Sequence, residues 1–143
     1  MKLVREYIIL EKFTEDSDPI HDLGIGVLAQ IKDWLSKKTH TGYAVGEKDY
    51  QTMFKLLVFN DKLDFADFLL KFKSNEINID HNECSLLRWA GWQKKYKEGL
   101  FLLERGADIE RALSHAKKHN ETETTQGLSK LKKMIEKKKY EVS

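Results

Sequence analysis

The sequence predicts an all-α fold, a short stack of helical hairpins with a capping helix on its N-terminal side. Three observations carry this expectation. Apolar residues recur at the 3.6-residue spacing of a helix face in segment after segment. One proline and eight glycines in 143 residues are too few for a strand-rich fold with many tight hairpins. A pattern of leucines and aromatic residues also repeats at a fixed offset, since Leu69-Leu70 and Leu102-Leu103 stand 102 − 69 = 33 residues apart. A period of that length marks stacked supersecondary units.

Residues 1–46 are expected to form an N-terminal segment and residues 47–143 the helical repeats. The acidic stretch Glu15-Asp16-Ser17-Asp18-Pro19 predicts a boundary, because proline cannot continue a helix and pushes the residue before it toward an extended conformation. Gly24-Ile25-Gly26 reads as a turn or helix-entry signal. From Leu23 to Lys38, Val27, Leu28, Ile31, Trp34 and Leu35 share one helical face, and Lys37-Lys38 suit the negative end of the helix dipole. Residues 39–46 carry turn residues and should be a loop. From Asp49 a helical hairpin follows, with Met53, Phe54, Leu56, Leu57, Val58 and Phe59 on one arm, a break at Asn60-Asp61-Lys62, and Phe65, Ala66, Phe68, Leu69, Leu70 and Phe72 on the other. A second hairpin runs from Asn82 past the small residues Ala90 and Gly91 to Leu103, and Gly106 stands where a left-handed helix end is expected. Residues 109–139 read as a capping helical pair whose last helix starts near Thr122 and ends in Lys130, Lys132, Lys133, Lys137, Lys138 and Lys139.

Composition narrows the function classes. Lys plus Arg number 25 against 23 Asp plus Glu, a formal charge of +2, so no field of one sign extends over the chain to collect nucleic acid or membrane. Cys84 is the only cysteine, which excludes an internal disulfide and fits a reducing cytoplasm. Glu6, Glu11 and Lys12 interrupt the Tyr7-Ile8-Ile9-Leu10 run, so no secretory signal is expected, and no stretch approaches the roughly 18 apolar residues of a membrane span.

The motif Ser85, Leu87, Trp89, Ala90, Gly91, then Leu102-Leu103 and Gly106-Ala107-Asp108-Ile109 resembles an ankyrin repeat, and the 33-residue offset is the ankyrin period. The resemblance covers about two-thirds of the chain, from Asp49 onward. Departures are visible: Ser85-Leu86-Leu87-Arg88 replaces the family's Thr-Pro-Leu-His opening, Glu98-Gly99 stands where branched apolar residues are usual, and the first unit ends in Lys73-Ser74-Asn75-Glu76-Ile77-Asn78 without Gly-Ala-Asp. Residues 11–26 are similar to a leader on uncharacterised proteins of large bacteriophages and their hosts.

The ankyrin resemblance implies a scaffold that binds another macromolecule through a concave face made by the first helix of each pair and the tips between pairs. His81, Asn82, Cys84, Arg88, Trp92 and Gln93 would lie toward that face, with Phe59 and Asn60 before them and Lys118 and His119 after. Trp92 is the sharpest candidate, because an exposed Trp or Arg is the residue type that most often anchors an interface. Its competing role is core filler. Trp89, beside Ala90, is expected in the core.

Other constellations are weaker. His115 and His119 have metal-ligand spacing on a helix but no third ligand in the same turn, so no metal is expected. Asp16, Asp18, His21 and Asp22 lack the spacing and glutamate of a calcium loop and read as a flexible linker. Gly24-Ile25-Gly26 lacks the third glycine of a dinucleotide fingerprint. No catalytic residues and no cofactor are expected. The chain therefore reads as a non-catalytic protein-binding adaptor, with a protein partner, and in the light of the leader as a phage protein that engages or inhibits a host factor. The alternative is a nucleic-acid-associated protein using the lysine-rich helix, where each phosphate contact would add salt dependence.

Overall fold

A computed structural model describes residues 17–38 and 49–142, among which there are seven α-helices, one 3-10 turn and no strand. The chain is all-α. It divides into two compact units, Met1–Ile77 and Asn78–Ser143, so the N-terminal amphipathic helix belongs with the first helical hairpin. The expected loop at 39–46, and residues 11–16 of the segment that is similar to a phage leader, lie outside the described residues.

In the first unit, α1 (Ser17–Lys38) packs on both arms of the hairpin α2 (Tyr50–Phe59) and α3 (Leu63–Phe72). The helix α1 begins at Ser17 rather than Leu23, and residues 17–22, read as part of a flexible linker, are helical. Pro19 lies in the first turn, where a backbone N–H has no intrahelical acceptor to lose, so it enters the helix rather than breaking it. Gly24 and Gly26 lie inside the helix, and Gly24 has a packing role: a Cβ there would stand 2.5 Å from Cε1 of Phe72. Val27, Leu28, Ile31 and Leu35 are buried as the periodicity predicts, and Trp34 is half-buried with the Lys62 ammonium 5.3 Å from its ring centroid. Asp49 caps α2 by accepting the Thr52 N–H at 3.1 Å, and the chain turns into α3 through Asp61 at φ 59°, with the Lys62 N–H donating to the Leu57 carbonyl at 2.8 Å. Where the Gly-Ala-Asp ending is missing, Ser74–Glu76 forms the 3-10 turn.

The second unit contains α4 (His81–Trp92), α5 (Tyr96–Glu104), α6 (Ile109–Lys118) and the long α7 (Thr122–Val142). The helix α4 packs on the other three, and α7 also lies along α5 and α6. Glycines set the closest approaches. A Cβ on Gly127 would fall 1.8 Å from the Gly91 carbonyl oxygen, and one on Gly99 would fall 2.6 Å from Cδ1 of Leu131, so α7 rests nearly backbone to backbone on α4 and side chain to backbone on α5. Leu86, Leu87, Ala90, Leu102, Ala112, Ala116, Leu128 and Leu131 fill the space between. Each helix stop follows one rule: the left-handed residues Lys94, Gly106 and Asn120 let the next N–H, of Lys95, Ala107 and Glu121, reach back to the carbonyls of Ala90, Leu102 and Ala116. Gly106 at φ 96° stands where the sequence placed it.

The start of α4 departs from the expected plain helix. Asn82, Glu83 and Cys84 are all left-handed, with φ of 56°, 54° and 59°, and form a left-handed turn ahead of the right-handed segment. For residues with a Cβ this conformation costs about 1–2 kcal/mol each, so it persists only because neighbours hold it. Arg88 donates from Nε to the Glu83 carbonyl at 2.8 Å and from Nη2 to the Asn82 carbonyl at 3.1 Å. Arg111 on α6 grips the Glu83 carboxylate with two bonds, at 3.1 and 3.3 Å.

Candidate functional site

A cleft of about 700 Å³ opens in the second unit between α4 and the turn that joins α6 to α7. One wall is the α4 side presenting Ser85, Arg88, Trp89 and Trp92; the other is the run from Asn120 to Thr124. Residues 85, 88, 89 and 92 recur at three- and four-residue steps, which places them on one side of a helix. Trp92 keeps 51% of its surface exposed, while Trp89 is half-buried. Trp89 therefore departs from its expected core role, because the cleft lies where a further packed helix would otherwise cover it.

Arg88 is fixed rather than free. Two of its nitrogens serve the left-handed turn, and the third, Nη1, stands 3.9 Å from Oε1 of Glu121. The same Glu121 oxygen lies 3.7 Å from Nδ1 of His115, too long for a hydrogen bond, and neither of these two buried atoms has a hydrogen-bonding partner within the protein. The His115 ring in turn lies 4.4 Å, centroid to centroid, from that of His119. On the far wall, Thr122, Glu123 and Thr124 open α7, and the N–H groups of a first helical turn have no acceptor of their own in the helix. Glu123 is exposed there and complements the positive end of that helix.

Of the residues singled out in the sequence, Arg88 and Trp92 meet in the cleft. His81, Asn82 and Gln93 are exposed at the two ends of α4, and Lys118 and His119 are exposed at the end of α6. Phe59 and Asn60 belong to the first unit; Phe59 is 44% exposed, and the Asn60 side chain donates to the Leu56 carbonyl at 2.7 Å, capping its own helix. Cys84, expected toward the binding face, is fully buried instead, because the left-handed turn rolls it inward. Its thiol contacts the Asp80 carboxylate and the Asp108 carbonyl, and burial, reinforced by Asp80, pushes its pKa up to about 12. A thiol so held is no nucleophile at neutral pH.

Ser85, Glu121 and the residues of the α6–α7 turn were not legible as site residues. Only the i, i+3 spacing of Trp89 and Trp92 hinted that two indoles share a side. Among the described residues no three His, Cys, Asp or Glu side chains gather as a metal site would require, and no helix is long and apolar enough to cross a membrane. The lysine-rich half of α7 is partly engaged. Lys138 pairs with Glu104, Lys132 with Glu110, and the Lys130 ammonium lies 4.8 Å from the Tyr96 ring centroid. Compared with known protein families, curated proteins and solved structures, the chain finds no match in any of the three.

Proposed function

We propose that this chain is a non-catalytic protein-binding module of ankyrin-like build, whose contact surface is the cleft between α4 and the α6–α7 turn. The observation that carries the reading is Trp92, half-exposed on the rim of a concave site whose neighbouring Arg88 is already locked in place. Preorganised aromatic anchors of this kind concentrate binding energy in few residues. Two features support the ankyrin-like part. The left-handed residues that end α2 and α4, Asp61 and Lys94, are separated by 94 − 61 = 33 residues. The Asp80 carboxylate, just before α4, accepts the N–H of Asp108, just before α6, so the openings of two successive hairpins are tied loop to loop. The likeness of residues 11–26 to phage leaders extends the proposal to a phage protein that engages a host protein in the cytoplasm.

A second reading, nucleic-acid binding by α7, is favoured by the exposed Lys133, Lys137 and Lys139. It is weakened by the engagement of the other three lysines. Affinity capture from cytosol at low and moderate salt separates the two. Trp92→Ala abolishes capture of a protein partner if the module reading holds, and Lys133, Lys137 and Lys139 changed together to Gln leave that capture intact. Nucleic acid recovered only at low salt, and lost with the three glutamines, replaces the first reading with the second.

A further inference from the structure

We infer that His115 and Glu121 form a proton-operated latch: a proton taken up by the His115 ring turns their contact into a charge-assisted hydrogen bond, which fastens the α6–α7 turn to α6 and draws Glu121 off Arg88. This holds whatever enters the cleft. Its ground is a pair of buried polar atoms that face each other without bonding. Nδ1 of His115 and Oε1 of Glu121 are 3.7 Å apart, both are shut off from solvent, and neither has a hydrogen-bonding partner within the protein. The same oxygen stands 3.9 Å from Nη1 of Arg88, so it has two nitrogens near it and bonds neither.

A neutral imidazole carries one N–H, and at 3.7 Å neither tautomer bonds the carboxylate; the cationic ring carries an N–H at both nitrogens and a charge besides. A donor and a charge at Nδ1 are what the buried oxygen lacks. The surrounding charges are already engaged or exposed. On α6, Arg111 is bonded to the Glu83 carboxylate of α4 at 3.1 and 3.3 Å, the His119 ring lies 4.4 Å from that of His115, and Lys117 and Lys118 are exposed. From α4, Arg88 is held back from Glu121 by its two bonds to the Asn82 and Glu83 carbonyls. The charged side chain in the first turn of α7 is the exposed Glu123, an anion, which favours a proton nearby. Histidine is the side chain whose charge ordinarily changes between about pH 5 and 8, so the latch closes over that range as pH falls. Closed, it leaves Nη1 of Arg88 without its carboxylate, and the α4 wall of the cleft becomes more positive.

The test is a double-mutant cycle in the full chain, with His115→Gln, Glu121→Gln and both together unfolded by urea at about pH 8 and about pH 5.5. The coupling between the two positions is expected to be small at the higher pH and to grow about tenfold in the folding constant at the lower one. Coupling that is equal at the two pH values, or smaller in acid, overturns the latch. A second measurement needs no substitution. The Glu121 N–H donates to the Ala116 carbonyl at 2.9 Å, and the Ala107 N–H donates to the Leu102 carbonyl at 3.0 Å at the corresponding place in the preceding turn. Hydrogen exchange at Glu121, taken relative to Ala107 so that the common pH dependence cancels, is expected to slow about tenfold between the same two pH values. A ratio that does not change with pH overturns the latch as well, even where a variant fails to fold.

Discussion

The carboxylate of Asp80 accepts the backbone N–H of Asp108 at 2.9 Å, across 28 residues of chain. That single oxygen also faces the Cys84 sulfur at 3.5 Å, so one side chain ties the opening of α4 to the opening of α6. Asp80→Ala leaves the Asp108 N–H without its acceptor and is expected to cost about 1–3 kcal/mol in chemical denaturation. Asp80→Asn, which keeps one acceptor oxygen, should recover much of it. Equal effects of the two substitutions would mean that the tie is not what holds the loops.

The left-handed turn at 82–84 depends on a planar fork. Arg88 reaches two carbonyls with two different nitrogens, a geometry that the single ammonium of lysine cannot reproduce. Arg88→Lys is therefore expected to lose nearly as much stability as Arg88→Ala, about 2 kcal/mol or more in either case. A lysine variant as stable as the parent protein would show that the turn needs only a positive charge.

Gly127 and Gly99 make a graded pair. A methyl group on Gly127 collides with backbone, the Gly91 carbonyl, whereas one on Gly99 meets only the branched end of Leu131. Alanine is favoured over glycine in a helix by about 1 kcal/mol, yet Gly127→Ala should destabilise by about 3 kcal/mol or more because two helices must separate. Gly99→Ala should cost distinctly less. Urea unfolding of both variants checks the order.

In the first unit, Ile31 is fully buried where α1 meets the hairpin. Ile31→Ala removes that contact and is expected to cost about 2–5 kcal/mol, read as a fall of several degrees in Tm. An exposed neighbour, Gln30→Ala, serves as the control and should leave Tm unchanged.

Cys84 makes stability sensitive to alkali. Its thiol pKa is raised by burial, and by the Asp80 charge, from 9.0 to about 12, so the folded state holds its proton where the unfolded chain has lost it. This contribution is complete below pH 9 and is lost as pH rises from there toward about 12. Cys84→Ala should flatten the decline in stability over that window. At pH 8 the native thiol should resist a maleimide that labels the unfolded chain quickly.

The helices were legible because burial imposes a period: Val27, Ile31 and Leu35 on α1, and Leu87 and Ala90 on α4, are buried where a 3.6-residue repeat puts them. Gly106 was legible because only glycine suits φ 96° without strain. The turn at 82–84 was not, since Asn-Glu-Cys contains no glycine and its conformation is imposed by Arg88 and Arg111 acting from outside it. Trp89 was misread for a related reason. An apolar position on a helix signals that something covers it, and the sequence does not distinguish a packed neighbour from an open cleft. Glu121 follows His115 and His119 closely in the sequence, but only the packing of the α6–α7 turn beside α4 brings it toward Arg88.

The placement of the tryptophans has an optical consequence. Of the three in the chain, Trp34 sits in the first unit, while Trp89 and Trp92 line the cleft in the second. Intrinsic emission thus divides by region without any label. Trp92, the most solvent-exposed of the set, supplies the red edge of the spectrum and the component most open to a soluble quencher, whereas Trp34 reports on its surroundings beside Lys62. An occupant entering the cleft shields Trp92 from iodide or acrylamide and leaves Trp34 as an internal standard, so occupancy and the integrity of the first unit are readable from one cuvette.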